Sequence, residues 1–539
     1  MIKKCLSKLL LFSFLSASVS LSTFSEKIII SAEENIYTFG GGEPLSLSEY
    51  NRICNELEST EDSEISAFSI LQPSVDLSTS VYFPPIGNQG SYNSCVAWAS
   101  TYYQFTYEMN RLHNTSYASA GAYSPSWTWN FLNESQNIGT WYGDAYKVLS
   151  TFGAEKIYEM EYDINNYDYS WSTNTEYMMN ALNSRLTRTS AVSISGSGTE
   201  ITNNKDSDLN SVKQLLSDGK VLTVMTRMWG DPETPLSTVI CRGNDLLPSW
   251  HALTIVGYDD NFTYDINNNG IIEEFEKGAF KAANSWGLLY GNLGYNMIMY
   301  DALNGVSASP TSWENNQPGN RCAIFDVDPS PEWSNVNNQN LFFYITVEDR
   351  NVNMVGELKF NTNYRNSLDI SIQHRGQFSA DNYTKIYPIR SRGYYNNDVS
   401  QAVTLLLDYG NCYNGDNPYN YYQNNNWYVK FGNSISNVNN WINSGVSYKI
   451  VDNKYNTIKS FNTTYANSSS STLITNKSIN LTLGDLNYNS QVEINDVAIL
   501  QQHLYGGLEL SNVQKRLADC DSNEIINEAD KSIMLGLCQ

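Results

Sequence analysis

Three side chains in this 539-residue chain have the types and the order needed for nucleophilic chemistry at a carbonyl. Cys95 closes the run Gln89-Gly90-Ser91-Tyr92-Asn93-Ser94-Cys95, His251 follows Trp250, and Asn284 opens Asn284-Ser285-Trp286-Gly287. A thiol becomes a strong nucleophile when an imidazole takes its proton, and a side-chain amide can hold that imidazole in one orientation. Gln89, with the backbone N–H of Cys95, can donate to a developing oxyanion, an effect of about 10²–10³ in rate. Trp286 is placed to keep water from the histidine–asparagine bond. These groups lie far apart in the chain, so they act together only if the fold makes one cleft of them.

The chain has 4 histidines, so the base can be found by elimination. His503 lies among helices near the C-terminus, and His374 in an Asn- and Tyr-rich strand region. His113 is at the far end of the helix that Cys95 begins, roughly 27 Å away at ~1.5 Å per residue. That leaves His251. Val96, Ala99, Tyr103 and Tyr107 recur at helical spacing and put Cys95 on the first turn of an amphipathic helix. The positive end of the helix dipole and a nearby imidazolium favour the thiolate there.

The offset of Gln89 from Cys95, the helix that follows, and the Asn-Ser-Trp-Gly run after the histidine resemble the papain family of cysteine peptidases. The resemblance implies an α+β catalytic domain and hydrolysis of protein or peptide substrates through a thioester. Some residues depart from the family pattern. Tyr92-Asn93 stands where Cys-Gly is usual, which removes one common disulfide; Val96 replaces a tryptophan; and Trp250 replaces a smaller or acidic residue. An inactive domain of the same fold, used for binding or inhibition, and an acyltransferase with the same thioester chemistry are the alternatives.

The interval between His251 and Asn284 holds an acidic loop. From Asp265 to Glu276, oxygen-bearing side chains fall at the first, third, fifth, ninth and twelfth positions, with Gly270 sixth. Asp265, Asn267, Asn269 and Glu276 are the candidate ligands of one calcium ion in an EF-hand-like arrangement. The scheme recurs twice near the C-terminus. Asp485, Asn487, Asn489 and Asp496 form one set, and Asp519, Asp521, Asn523 and Asp530 the other. Helix-like runs, Val497–Leu504 and Lys531–Leu537, follow. This pair of loops resembles a type I dockerin, a small α module with two EF-hand-like calcium loops that implies two calcium ions and a cohesin partner on a scaffold protein. Ser490 and Glu524 take the place of the usual sixth-position glycine.

The chain thus reads as multidomain. Residues 1–32 are a secretory signal peptide, with Lys3, Lys4 and Lys8 before an apolar run too short to span a bilayer. Residues 33–74 form a leader shorter than the propeptides of papain-like zymogens, and 75–328 the papain-like domain. Residues 329–466 alternate apolar and polar positions in short runs, an all-β sandwich. Residues 467–481 are a linker and 482–539 the dockerin. A net charge of −23 with no basic stripe argues against a nucleic-acid partner, and no later segment suits membrane insertion. The expected protein is secreted, extracellular and carried on a cellulosome-type complex. Of the 8 cysteines, Cys520 and Cys538 are near enough in sequence to pair.

Overall fold

The computed structural model describes residues 42, 71–133, 136–195, 206–226, 228–230, 238–243, 250–266, 269–304, 339–362, 368–374, 384–386, 401–408, 427–433, 446–462, 471–476 and 481–538. The signal peptide and most of the leader lie outside these residues.

The first structural unit is a helical layer packed on a mixed sheet. Cys95–Ala97 (α1) runs through a π-helical stretch, Trp98–Phe105, into Thr106–Leu112 (α2). Every residue from Cys95 to Asn110 is buried, so this helix is a core element along nearly its whole length. Pro125–Leu132 (α3) and Tyr142–Phe152 (α4) pack beside it. The sheet is formed by Ser74–Asp76 (β1), Ser184–Ser195 (β2), Leu222–Thr226 (β3), Met228–Gly230 (β4), Val239–Gly243 (β5), His251–Thr263 (β6), Lys277–Ala283 (β7), Tyr295–Met299 (β8) and Gln339–Asp349 (β9). Its order is β2-β9-β3-β6-β7-β8-β5-β4, with β1 on β6. β5 and β8 are parallel and the other pairs antiparallel. The first eight residues of β6 are all buried, as a central strand covered on both faces requires.

β9 corrects the boundary drawn at 328/329. Its alternating residues were assigned to the sandwich, yet Gln339–Asp349 pairs with β2 along nearly its whole length and touches β3 at Phe343. Gln104 in the π-helical stretch donates to the Phe343 carbonyl at 2.9 Å. This sheet therefore extends past residue 330.

The following strands form two four-stranded antiparallel sheets. One contains Met354–Thr362 (β10), Gln401–Asp408, Ser447–Asp452 and Thr457–Asn462; the other Leu368–His374, Thr384–Ile386, Trp427–Asn433 and Ser471–Asn476. Val355, Leu358, Leu405, Leu407 and Ile450 from the first, with Ile370, Ile372 and Val429 from the second, are buried in one cluster, which makes the pair a sandwich. Ser471–Asn476 falls within the span 467–481 given to a linker; it is a strand paired with Trp427–Asn433.

The C-terminal residues fold as three helices, Ile494–Leu504, Asn512–Ala518 and Glu528–Leu537, around Leu486, Val497, Leu500, Leu517 and Met534. The middle helix has no counterpart in the sequence reading. Cys520 and Cys538 are thiols rather than a disulfide, which corrects the suggested pairing.

Candidate active site and acidic loops

Cys95 is the first residue of α1 and fully buried. Its N-cap, Ser94, spends its hydroxyl on Tyr162 at 2.6 Å rather than on the helix N-terminus. α1 packs on β6, whose first residue is His251, and Thr254 on β6 donates to the Ala99 carbonyl at 3.1 Å. Cys95 and His251 thus each begin one of two elements that pack on each other.

His251 is 2% exposed and its Nε2 lies 2.8 Å from Asn284 Oδ1. An amide oxygen can only accept, so Nε2 carries the proton and Nδ1 is the basic nitrogen of the neutral ring. Nδ1 has no hydrogen-bond partner among the described residues. Burial pushes the imidazole pKa down to about 4, with the Asn284 bond opposing the shift. Trp286 lies over the ring, centroids 4.2 Å apart, and Tyr290 closes on Trp286 edge-on at 4.6 Å.

Asn284 follows β7, which pairs with β6 through Thr254↔Ala283. Its Nδ2 donates to Asn296 Oδ1 at 3.1 Å, which leaves Oδ1 aimed at the histidine. Its carbonyl accepts from Tyr103 at 2.7 Å, and the same hydroxyl accepts from the Gly87 N–H at 2.9 Å. Tyr103 therefore ties the nucleophile helix, the Gln89 loop and the asparagine to one another.

Gln89 is fully buried. Its Nε2 donates to the Tyr92 carbonyl at 2.6 Å and its Oε1 accepts from Ser285 at 2.6 Å. The Tyr92 carbonyl cannot donate, so the amide orientation is fixed and a second N–H remains for a ligand. The loop is zipped to the asparagine segment by Gln89 N–H to the Ser285 carbonyl at 2.7 Å and Gly287 N–H to the Gly87 carbonyl at 3.0 Å. Sequence reasoning singled out Gln89, Cys95, His251, Asn284 and Trp286; it placed Tyr103 on the helix without assigning it a role. Tyr142 was missed. Its hydroxyl donates toward the Val224 and Leu253 carbonyls at 3.0 and 3.2 Å, and it stays neutral because burial, with Cys95 and Tyr146 nearby, raises its pKa.

The three acidic loops share one hydrogen-bond scheme. In each, the first carboxylate accepts from the fifth and sixth N–H groups: Asp265 from Asn269 and Gly270, Asp485 from Asn489 and Ser490, Asp519 from Asn523 and Glu524. The twelfth accepts from the second and ninth: Glu276 from Ile266 and Glu273, Asp496 from Leu486 and Glu493, Asp530 from Cys520 and Asn527. The sixth residue has positive φ in all three, at 79° in Gly270, 71° in Ser490 and 66° in Glu524. Carboxylate atoms of Asp519, Asp521 and Asp530 lie within 4.8 Å of one another. Such convergent hard oxygens suit calcium. Asn487, Asn489 and Asn523 lie in their loops beside these carboxylates; Asn267 falls outside the described residues.

No protein-family model matches the chain, and no curated protein matches it. Solved structures similar to it include xylellain, a cysteine protease from Xylella fastidiosa, at 20% identity and TM-score 0.35 over 53% of this chain and 89% of that one. Digestive procathepsin L2 proteinase from Tenebrio molitor larval midgut is similar at 18% identity and TM-score 0.36, over 58% and 80% of the two chains. ProCathepsin B S9 from Trypanosoma congolense is similar at 15% identity and TM-score 0.37, over 58% and 88%. No helix among the described residues is long and apolar enough to cross a membrane.

Proposed function

We propose that the chain is a secreted papain-like cysteine endopeptidase, tethered through a calcium-loaded dockerin to a cohesin-bearing scaffold. The observation that carries the enzymatic reading is the buried His251, with Nε2 committed to Asn284 at 2.8 Å and Nδ1 left as a base without a partner.

Nδ1 takes the proton of Cys95 Sγ, and the thiolate attacks the scissile carbonyl carbon. The oxyanion that forms is held by the Cys95 N–H and the remaining N–H of Gln89 Nε2. As the tetrahedral adduct collapses, the C–N bond breaks and the amine leaves with the proton from Nδ1. Water, deprotonated by the same nitrogen, then cleaves the thioester and returns the thiol. Asn284 holds the ring's other proton on Nε2, which leaves Nδ1 to take a proton and give it back, and Trp286 excludes water from that bond.

The tethering reading rests on the two C-terminal loops, which share their register with each other and each run into a helix, Ile494–Leu504 and Glu528–Leu537. Their carboxylates would hold two calcium ions, and Asp265 and Glu276 a third in the catalytic domain. Cys95→Ala is expected to abolish both peptide hydrolysis and labelling by a thiol-directed epoxide. His251→Ala should be equally inactive and Asn284→Ala partly active, because it orients rather than transfers a proton. Labelling and hydrolysis that survive in Cys95→Ala would sink the assignment.

A further inference from the structure

One residue of the leader is seated in the cleft. Gly42, from the run Gly40-Gly41-Gly42, is buried. Its N–H donates at 2.9 Å to the carbonyl of Trp250, the residue before the catalytic base, and it forms β-bridges to Trp250 on one side and Thr140 on the other. Thr140 immediately precedes Trp141, the N-cap of α4, whose Tyr142 neighbours Cys95. The Thr140 hydroxyl is buried with no partner among the described residues. The main chain of Gly42 therefore fits between these two segments, one residue from His251.

A side chain in this space would press on both walls. A Cβ on Gly42 would lie 2.3 Å from Met225 Sδ, 3.0 Å from Met225 Cε and 3.1 Å from the Trp250 carbonyl carbon. Gly42 is not among the residues with positive φ, so its backbone would accept alanine and only the walls refuse it. Met225 is 5% exposed, on β3 opposite Ala252, and packs in the cluster that contains Cys95 and Trp250. A methionine side chain can shift, but here it would have to shift within a packed core, and the Trp250 main chain cannot.

We infer that the cleft position beside His251 selects glycine, with Met225 and the Trp250 main chain as the selecting wall and Gly42 as its occupant within the chain. This inference rests on the peptidase reading and adds a substrate class to it: extended peptides with glycine where the N–H meets the Trp250 carbonyl. One excess carbon in such a space is worth on the order of 10–200-fold in discrimination.

The test uses the full chain with calcium present. In Gly42→Ala the leader no longer fits, so epoxide labelling of Cys95 should quicken by roughly tenfold or more. Adding Met225→Ala to the same chain opens the wall and should slow labelling back toward the starting rate. In a peptide series with glycine replaced by alanine one position at a time, the wild-type chain should show one position with a preference of similar size. Met225→Ala should shrink that preference, while Met225→Leu, which keeps the bulk and guards against a packing defect, should retain it. Unchanged labelling in Gly42→Ala, or equal cleavage of glycine and alanine peptides at every position, overturns the inference and leaves the peptidase reading in place. Absence of Cys95 labelling and of hydrolysis in every form overturns both.

Discussion

Residue chemistry at the site turns on the protonation of His251. In a Cys95→Ala chain the thiol is gone, and burial, opposed by the Asn284 hydrogen bond, sets the pKa of the ring. The folded-state pKa of about 4 is below the unfolded value of 6.5, so between the two the unfolded chain binds more protons. The contribution to stability is complete above about pH 6.5 and is lost as pH falls toward 4. At ~1.4 kcal/mol per unit, the loss between pH 6.5 and 4.5 comes to about 2–3 kcal/mol. Denaturant melts of Cys95→Ala across that range should show it, and melts of Cys95→Ala/His251→Gln should not. Parallel profiles for the two chains would mean that the imidazole is not buried neutral.

Much of this chemistry was legible beforehand. Histidine is scarce in the chain, and Cys95, His251 and Asn284 each sit in a distinctive local run, so residue types alone pointed to them. Gly42 was not legible. A glycine triplet announces backbone freedom and nothing about the wall it rests against, which is built from residues distant in sequence.

At the scale of elements, the acidic loop at 265–276 joins the strand that begins at His251 to the strand that leads to Asn284. Its ends are closed by Tyr264 N–H to the Glu276 carbonyl at 3.1 Å. The fully buried Glu276 carboxylate accepts two backbone N–H groups within the loop. An ion bound there would set the hairpin register and with it the histidine–asparagine distance. Chelator is expected to lower the temperature at which peptidase activity is lost, and Glu276→Gln should behave in calcium as the native chain does in chelator. An inactivation temperature indifferent to both would remove calcium from the catalytic domain. The loop's register was readable because ligand spacing is local. The π-helical stretch after Cys95 was not, since its residues recur at a spacing that reads equally well as a regular α-helix.

Across the whole molecule, the first unit and the sandwich are joined by a buried ion pair. Arg185, fully buried on β2, meets Asp408 of the sandwich at 2.8 Å, and Arg350 approaches the same carboxylate at 3.7 Å. Asp408→Asn would leave the Arg185 guanidinium buried without its counter-charge, at a cost of about 3–5 kcal/mol. Thermal unfolding should show a correspondingly lower midpoint, and a change of under 1 kcal/mol (an exposed pair's usual worth) would mean that water reaches the pair. The C-terminal helices in turn meet a turn of the sandwich: Tyr488 donates to Asp452 at 2.8 Å and the Asn512 N–H to Asn453 at 2.8 Å. None of these long-range contacts has a sequence signature, which is why the domain boundary and the linker were misplaced while the local strands were found.

The position of β9 also governs when the candidate site can form on the ribosome. Cys95, His251 and Asn284 have all been synthesised by residue 284, yet among the described residues β2 is joined to β3 in the sheet through Gln339–Asp349. Gln104, buried in the nucleophile helix, likewise waits for the Phe343 carbonyl. A nascent chain that has made Cys95, His251 and Asn284 but not yet residue 349 has two unfilled sheet edges where its core should be. The candidate site is therefore completed late in translation, once β9 has emerged, and a chain broken off before that point holds these three residues without the full sheet on which they are set.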